Sequence, residues 1–132
     1  IMASELRVNT LKDASGNNSI ATSFVAGGSA KAWGDANHSA NTIADSLNIS
    51  TITDDGTGEK DYNFTTSFGS ENFIGTCGSG GNQGGTGNAR AGSTNGVWTS
   101  GQAIMRFCQI ASTGSIVIDD VNAYTTFMGD LA

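Results

Sequence analysis

Hydrophobic and polar residues alternate most clearly in residues 47–68, LNISTITDDGTGEKDYNFTTSF. In the second half of this stretch, one face of an extended chain would carry Tyr62, Phe64, Thr66 and Phe68. A period of two is the pattern of a half-buried strand. The preceding DDGTGE supplies residues that tolerate positive φ in a hairpin loop. The pattern therefore predicts a strand, a tight turn and a second strand, around which the rest of the chain is arranged.

The first strand of this hairpin carries an irregularity. Leu47 and Ile49 alternate as expected, but Ile52 falls out of phase with them. We therefore expect the strand to begin at Leu47 and to contain a bulge near Thr51.

The chain before the hairpin predicts an arm followed by two strands. Residues 3–19 contain three large apolar residues, Leu6, Val8 and Leu11, and end in the turn sequence DASGNN. Such a segment has no core of its own, so it either docks on a neighbouring chain or is a disordered terminus. Residues 20–26 alternate like a strand, and 29–33 begin another that ends at Trp33, an expected core or interface anchor. The polar residues 34–41 predict a loop.

The chain after the hairpin predicts three further strands and one long loop. A strand leads through Phe73 to Cys77, and residues 78–96, rich in Gly, Ser, Thr and Asn, predict an exposed loop. The loop lacks the GKS or GKT of a phosphate-binding loop. Residues 97–112 are apolar on both faces, as in a strand that is buried on both faces or lies in a subunit interface. A loop at 119–122 precedes a last strand at 124–128, with Tyr124, Thr126 and Met128 on one face.

Together these elements predict an all-β fold. Seven or eight short strands at this spacing are typical of an antiparallel β-sandwich or a jelly-roll-like knob, here with an extended N-terminal arm. We place the arm at residues 1–19 and the β-rich head at residues 20–132.

Composition adds two constraints to this picture. The chain has 19 Gly and no Pro among 132 residues, so proline cannot protect its sheet edges, and we expect an oligomer to cover them. The net charge of −6 with scattered Lys and Arg argues against nucleic-acid binding. No apolar run is long enough for a membrane-spanning helix, so we expect no membrane insertion.

The residues that usually carry chemistry form no convincing site. The acidic residues at the hairpin tip, Asp54, Asp55, Glu59 and Asp61, lack EF-hand order and are interpreted as turn formers. His38 is the only histidine, with no nucleophile motif nearby, and two cysteines with one histidine do not make a zinc site. Cys77 and Cys108 are expected to be buried free thiols on strands, with a disulfide as the alternative. We therefore predict no enzyme, metal or cofactor.

Three segments of the sequence resemble a known group of proteins. These segments are SELRVNTLKDASGNNSIATSFVAGGSAKAW, DSLNISTITDDGTGEKDYNFTTSF and the C-terminal FMGDLA. They resemble small virion structural proteins of tailed bacteriophages, many of them marine or cyanobacterial, that are described as tail-fibre-like. The sequence departs from the pattern after Trp33, where GDANHSAN replaces a strand-like apolar run, and in the Gly-rich residues 78–96. Partner specificity therefore does not carry over at those two places.

The resemblance implies a structural component of the virion, assembled in the cytoplasm of the bacterial host. Such proteins are commonly trimers whose N-terminal arm attaches to the particle, here through Leu6, Val8 and Leu11. One alternative is a short fibre, spike or knob that binds a host cell-surface glycan or protein, and the other is a capsid-decorating protein that stabilises the lattice. In either case we expect the outward contacts to come from Asn82, Gln83, Asn88, Arg90, Asn95 and Trp98.

Overall fold

The structure is a computed structural model that describes residues 7–16, 18–80, 89–94, 98–111, 114–117 and 122–132. The first described elements are two short strands and a helix: β1 (Thr10–Lys12), β2 (Ser19–Ala21) and α1 (Thr22–Gly28). The next four are β3 (Ala30–Asn37), β4 (Thr42–Leu47), β5 (Ile49–Gly56) and β6 (Glu59–Phe64). The last five are β7 (Ile74–Gly80), β8 (Ala89–Thr94), β9 (Gln102–Ala111), β10 (Gly114–Val117) and β11 (Asn122–Met128).

Two antiparallel sheets form the head of the protein. The first sheet has the order β4-β3-β11-β7. In the second sheet β5 pairs with β6 and β6 with β9, and the long strand β9 also pairs with β8 and β10. The strands β1 and β2 form a separate two-stranded ribbon. The predicted all-β, sandwich-like fold is thereby confirmed.

The core lies between the inward faces of the two sheets. The first sheet contributes Ala32 and Ala36 of β3 with Ala123 and Phe127 of β11. The second sheet contributes larger side chains from β5, β6 and β9, namely Ile49, Ile52, Tyr62, Phe64, Ala103, Met105 and Phe107. Apart from Phe127, the first sheet thus contributes small residues, and the second sheet contributes mostly large ones that fill the space between the layers.

The central hairpin forms as predicted, as strands β5 and β6. Its turn uses Gly56 at φ 140° and Gly58 at φ 71°, and the register shifts between Ile49 and Thr51, where a bulge was expected. Leu47 was wrongly placed in this hairpin, because it is the last residue of β4 in the other sheet.

The chain crosses between the sheets at Asn48, which has a φ of 57°. Its side-chain amide donates to the Thr66 carbonyl oxygen (3.0 Å), and its Oδ1 accepts from the Thr66 N–H (2.7 Å). The amide thereby replaces a strand neighbour at this corner.

Two predictions for residues 20–41 are wrong. Residues 22–28 form helix α1 rather than continuing a strand. Among the described residues, no strand pairs with the chain beyond Ala21, and the backbone satisfies its hydrogen bonds locally in a helix. Residues 34–37 belong to β3 rather than to a loop. A Cβ on Gly34 would lie 2.8 Å from Cδ1 of Ile49, so glycine marks a close approach of the two sheets there.

The Gly-rich segment 78–96 was predicted as a loop, and the structure corrects this prediction at both of its ends. Residues 78–80 belong to β7, which pairs with β11, and residues 89–94 form β8, which pairs with β9. Backbone pairing with an adjacent sheet therefore overrides the weak strand propensity of Gly, Ser and Asn. Residues 81–88 and 95–97 lie outside the described residues.

Candidate functional site

The N-terminal segment exposes its apolar side chains instead of burying them. Val8 and Leu11, predicted as attachment residues, are both exposed, and Leu6 lies outside the described residues. Leu11 lies directly opposite Ile20 in the β1–β2 ribbon, and Ile20 is exposed as well. The ribbon therefore presents apolar side chains that are not part of the core of the described residues.

The exposed segment continues through helix α1, which buries none of its residues. The ring of Phe24 is 72% exposed, and Val25 is also exposed. Large apolar residues exposed next to each other commonly mark contact with another molecule. The two adjacent apolar residues are visible in the sequence. The predicted strand at 20–26 placed Phe24 and Val25 on opposite faces, so a shared exposed surface was not expected.

Hydrogen bonds fix helix α1 at both of its ends. At the N-terminal end, Oγ1 of Thr22 donates to the carbonyl oxygens of Val8 (3.1 Å) and Asn9 (3.2 Å). At the C-terminal end, Nζ of Lys31 donates to the Ala26 carbonyl oxygen and to Ser29. The segment therefore holds Phe24 in a defined position beside the start of β3.

The outward surface of the first sheet is also apolar. Trp33 lies between Leu47 of β4 and Thr126 of β11, and Met128 lies opposite Ile74 of β7. Ile74 is 63% exposed, and Leu47 and Tyr124 are exposed as well. We call this surface the outer apolar face; it consists of Trp33, Leu47, Ile74, Tyr124 and Met128. Trp33 was expected in the core or in an interface, and its side chain lies outside the core.

The outward surface of the second sheet is different, because polar side chains hydrogen-bond to one another across it. Nδ2 of Asn63 lies 3.2 Å from Oγ1 of Thr51 and 3.3 Å from Oγ1 of Thr53. Arg106 forms an ion pair with Glu59, with Nη2 and Oε1 2.8 Å apart. The hydrogen-bonded polar groups of this surface suit contact with water, whereas the first sheet exposes large apolar side chains beside the carboxylates of Asp35 and Asp45.

The predicted contact residues of the Gly-rich segment are mostly outside the described part of the chain. This holds for Asn82, Gln83, Asn88 and Asn95, and for the side chain of Arg90, whose backbone belongs to β8.

Trp98 is partly buried and contacts the core. Its ring stacks on Phe73 with centroids 4.7 Å apart, and its Nε1–H donates to the Ile104 carbonyl oxygen (3.1 Å). Trp98 therefore packs against the core, whether or not it also contacts another molecule.

The acidic hairpin tip contains two carboxylates in opposite situations. Asp54 pairs with the buried Lys60, with Oδ1 and Nζ 2.8 Å apart. Hydrogen bonds from Lys60 and from the Gly56 N–H lower the pKa of Asp54. Partial burial, together with the nearby charge of Asp55, raises the pKa of Asp61. Asp54 thus stabilises the turn as predicted, while the charge of Asp61 is disfavoured.

One polar cluster lies inside the sandwich. His38 Nε2 is 2.8 Å from the Tyr62 hydroxyl, and both side chains are fully buried. Burial raises the pKa of the Tyr62 phenol, so the phenol stays neutral. The edge of the His38 ring also contacts Phe107 at a centroid distance of 4.6 Å. Neither group reaches solvent, and the pair connects the turn after β3 with β6 and packs against β9.

Within the described residues, no three His, Cys, Asp or Glu side chains come together as a metal site. Cys77 and Cys108 are free thiols on β7 and β9, as expected, but both are half-buried and not fully buried. Burial raises the pKa of Cys77. No helix in the described residues has the length and apolar character needed to cross a membrane.

The fold therefore defines a class: a two-sheet antiparallel β-sandwich with an exposed apolar N-terminal segment. Comparisons of the chain with protein-family models, curated proteins and solved structures found no match.

Proposed function

We propose that the chain is a non-enzymatic structural component of a bacteriophage virion, displayed on the particle as a short fibre, spike or knob. The observation that carries the proposal is the exposed N-terminal segment, in which Val8 and Leu11 lie outside the core formed by the described residues. A folded head joined to an apolar arm is the arrangement expected of a protein that attaches to a larger assembly. The sequence resemblance to small virion proteins supports the same role.

The proposal includes a homotrimer, attachment to other virion proteins through the arm, and outward contact with a host glycan or protein.

The second candidate is a capsid-decorating protein that stabilises the lattice. The apolar character of one outer sheet face favours this second candidate, because a decorating protein is covered by neighbours on more than one side.

Particle incorporation tests the attachment arm. Replacing Val8 and Leu11 with Ser should leave the head folded and reduce the copy number in particles, because the arm loses its apolar contacts. Copy number is measured by quantitative mass spectrometry of particles purified from the phage that encodes the chain. The matched control replaces the neighbouring Asn9 and Thr10 with Ser.

Two outcomes would contradict parts of the proposal. If the unaltered chain is missing from purified particles, the virion role is wrong. If the Val8 and Leu11 variant is incorporated as well as its control, the chain attaches through another surface.

A further inference from the structure

Two apolar surfaces at different places on the chain are left uncovered by the described residues of the same copy: residues 24–25 on helix α1, and the outer apolar face. Only Ser29 separates α1 from β3, and the hydrogen bonds of Lys31 hold the end of the helix beside that strand. Phe24 therefore stays 72% exposed instead of covering its own sheet. A seven-residue helix is also marginal by itself and gains most of its stability from packing.

Charge narrows the choice of partner for the outer apolar face. Asp35 and Asp45 lie directly opposite each other on the outward side of β3 and β4, and neither forms an ion pair with a described residue. Like charges in this arrangement destabilise a sheet. Two such faces packed on each other would bring further carboxylates to the same place.

The N-terminal segment has the complementary charge. Residues 7–31 contain Arg7, Lys12 and Lys31 against the single acid Asp13, a net charge of 3 − 1 = +2. Residues 32–132 contain three cations and ten acids, a net charge of 3 − 10 = −7. The segment that exposes Phe24 is thus the part of this molecule that suits the acidic, apolar sheet face.

We infer that helix α1 of one copy packs Phe24 and Val25 against the outer apolar face of a second copy. The inference goes beyond the proposed function and does not rest on it, since it concerns the purified protein alone. We call helix α1 the donor surface and the outer apolar face the acceptor surface. Because the two surfaces are different, the contact is heterologous and either closes into a ring or continues as a filament. The Val8 and Leu11 side of the arm remains available for a different partner.

Complementation between two defective variants tests the contact. The donor variant carries Phe24→Ser and Val25→Ser, and the acceptor variant carries Ile74→Lys and Tyr124→Lys. All four side chains point to solvent in the single copy, so both variants should fold, which circular dichroism checks. Each variant alone should associate about ten- to a hundred-fold more weakly than the unaltered chain, as expected when a buried aromatic or aliphatic contact is lost.

Mixed in equal amounts, the two variants should form a one-to-one dimer of twice 13.4 kDa, measured by light scattering. A pair of the two variants has one intact helix surface and one intact sheet face, and these bind each other. Both other surfaces of the dimer are defective, so no further copy can be added. Leu47→Lys gives a second acceptor variant on another strand. The control is Thr51→Lys, which adds the same charge to the outward surface of the second sheet. This variant should assemble like the unaltered chain.

Three results would overturn the inference. The unaltered chain could be monomeric at micromolar concentration. The donor variant could associate by itself as tightly as the unaltered chain, which would mean that the sheet faces pack on each other. The mixture could remain monomeric, which would mean that α1 and the outer apolar face do not meet.

Discussion

Asp54 and Asp61 show how neighbouring carboxylates can contribute to stability with opposite signs. The Lys60 ammonium and the Gly56 N–H bind the ionised form of Asp54, and its pKa falls below the ordinary value of 3.8. The stabilisation from Asp54 is therefore complete above about pH 4 and is lost as the pH falls through the lowered pKa. Burial disfavours the ionised form of Asp61 and raises its pKa above 3.8. The stabilisation from protonated Asp61 is therefore complete below the ordinary pKa of 3.8 and is lost as the pH rises through the raised pKa.

We expect Asp54→Asn and Asp61→Asn to change stability in opposite directions at pH 7. Asp54→Asn should lower the melting temperature, because the buried Lys60 loses its ion pair with the carboxylate. Asp61→Asn should raise it slightly, because an amide keeps the hydrogen bond from Thr53 without a disfavoured charge.

Thermal unfolding of both variants between pH 3 and pH 8 measures these effects, and each variant is the control for the other. The difference between Asp61→Asn and the unaltered chain should shrink as the pH falls. A shift of the same sign for both variants at pH 7 would show that these charges do not control stability in the way described.

At the scale of elements, β7 illustrates how one strand depends on side chains from elsewhere in the sheet. A Cβ on Gly75 would lie 2.6 Å from Cη2 of Trp98 and 3.0 Å from the ring of Phe127. The indole cannot easily move away, because it stacks on Phe73 and its Nε1–H is hydrogen-bonded to Ile104. Gly75 is therefore required by packing.

Gly75→Ala should lower the free energy of unfolding by about 1–3 kcal/mol, the usual cost of overpacking a core. Gly78→Ala in the same strand is the matched control, since nothing lies within 4 Å of its added Cβ. It should be neutral or slightly stabilising, because it restricts the unfolded chain. Urea unfolding of both variants measures the difference, and equal stability would mean that Trp98 moves freely.

The sequence predicted those elements whose own residues carry a clear period, such as the hairpin of β5 and β6 and the strand β11, and it predicted β9 from a run that is apolar on both faces. It failed where tertiary pairing decides the structure. Gly34 and the residues around it look like a loop until the approach of Ile49 from the other sheet is known. Helix α1 was missed because Phe24 and Val25 fit a strand pattern equally well, and the sequence does not show that strand pairing ends at Ala21 in the described part of the chain.

At the scale of the molecule, the two outer faces could not have been distinguished from the sequence. Leu47, Ile74 and Tyr124 are separated by long stretches of chain, and only the order β4-β3-β11-β7 brings them to one surface. The attachment arm stays a prediction, which rests on few apolar residues that are close together in the sequence. The contact residues at 82, 83, 88 and 95 remain predictions, since they lie outside the described residues.

The segment between β7 and β8 provides a test that separates the two candidate functions. Because residues 78–80 and 89–94 are strands, an exchange must be confined to residues 81–88. Replacing them with an alternating Gly-Ser sequence of the same length should leave the melting temperature of the head nearly unchanged. If the chain is a host-binding knob, phage carrying this variant should adsorb poorly, because Asn82, Gln83 and Asn88 are lost.

Each hydrogen bond that such residues make with a glycan contributes only about 0.5–1.5 kcal/mol. Binding by one head would therefore be weak, and many copies on a particle would be needed to retain a cell. Losing the contact from every copy should then reduce the adsorption rate far more than it reduces the affinity of a single purified head.

The matched control replaces Asn72 on the described surface with Ser and should adsorb normally. Normal adsorption of the loop variant, together with capsids that break at lower temperature, would contradict the knob and favour the decorating protein, because residues 81–88 would then act as a lattice contact.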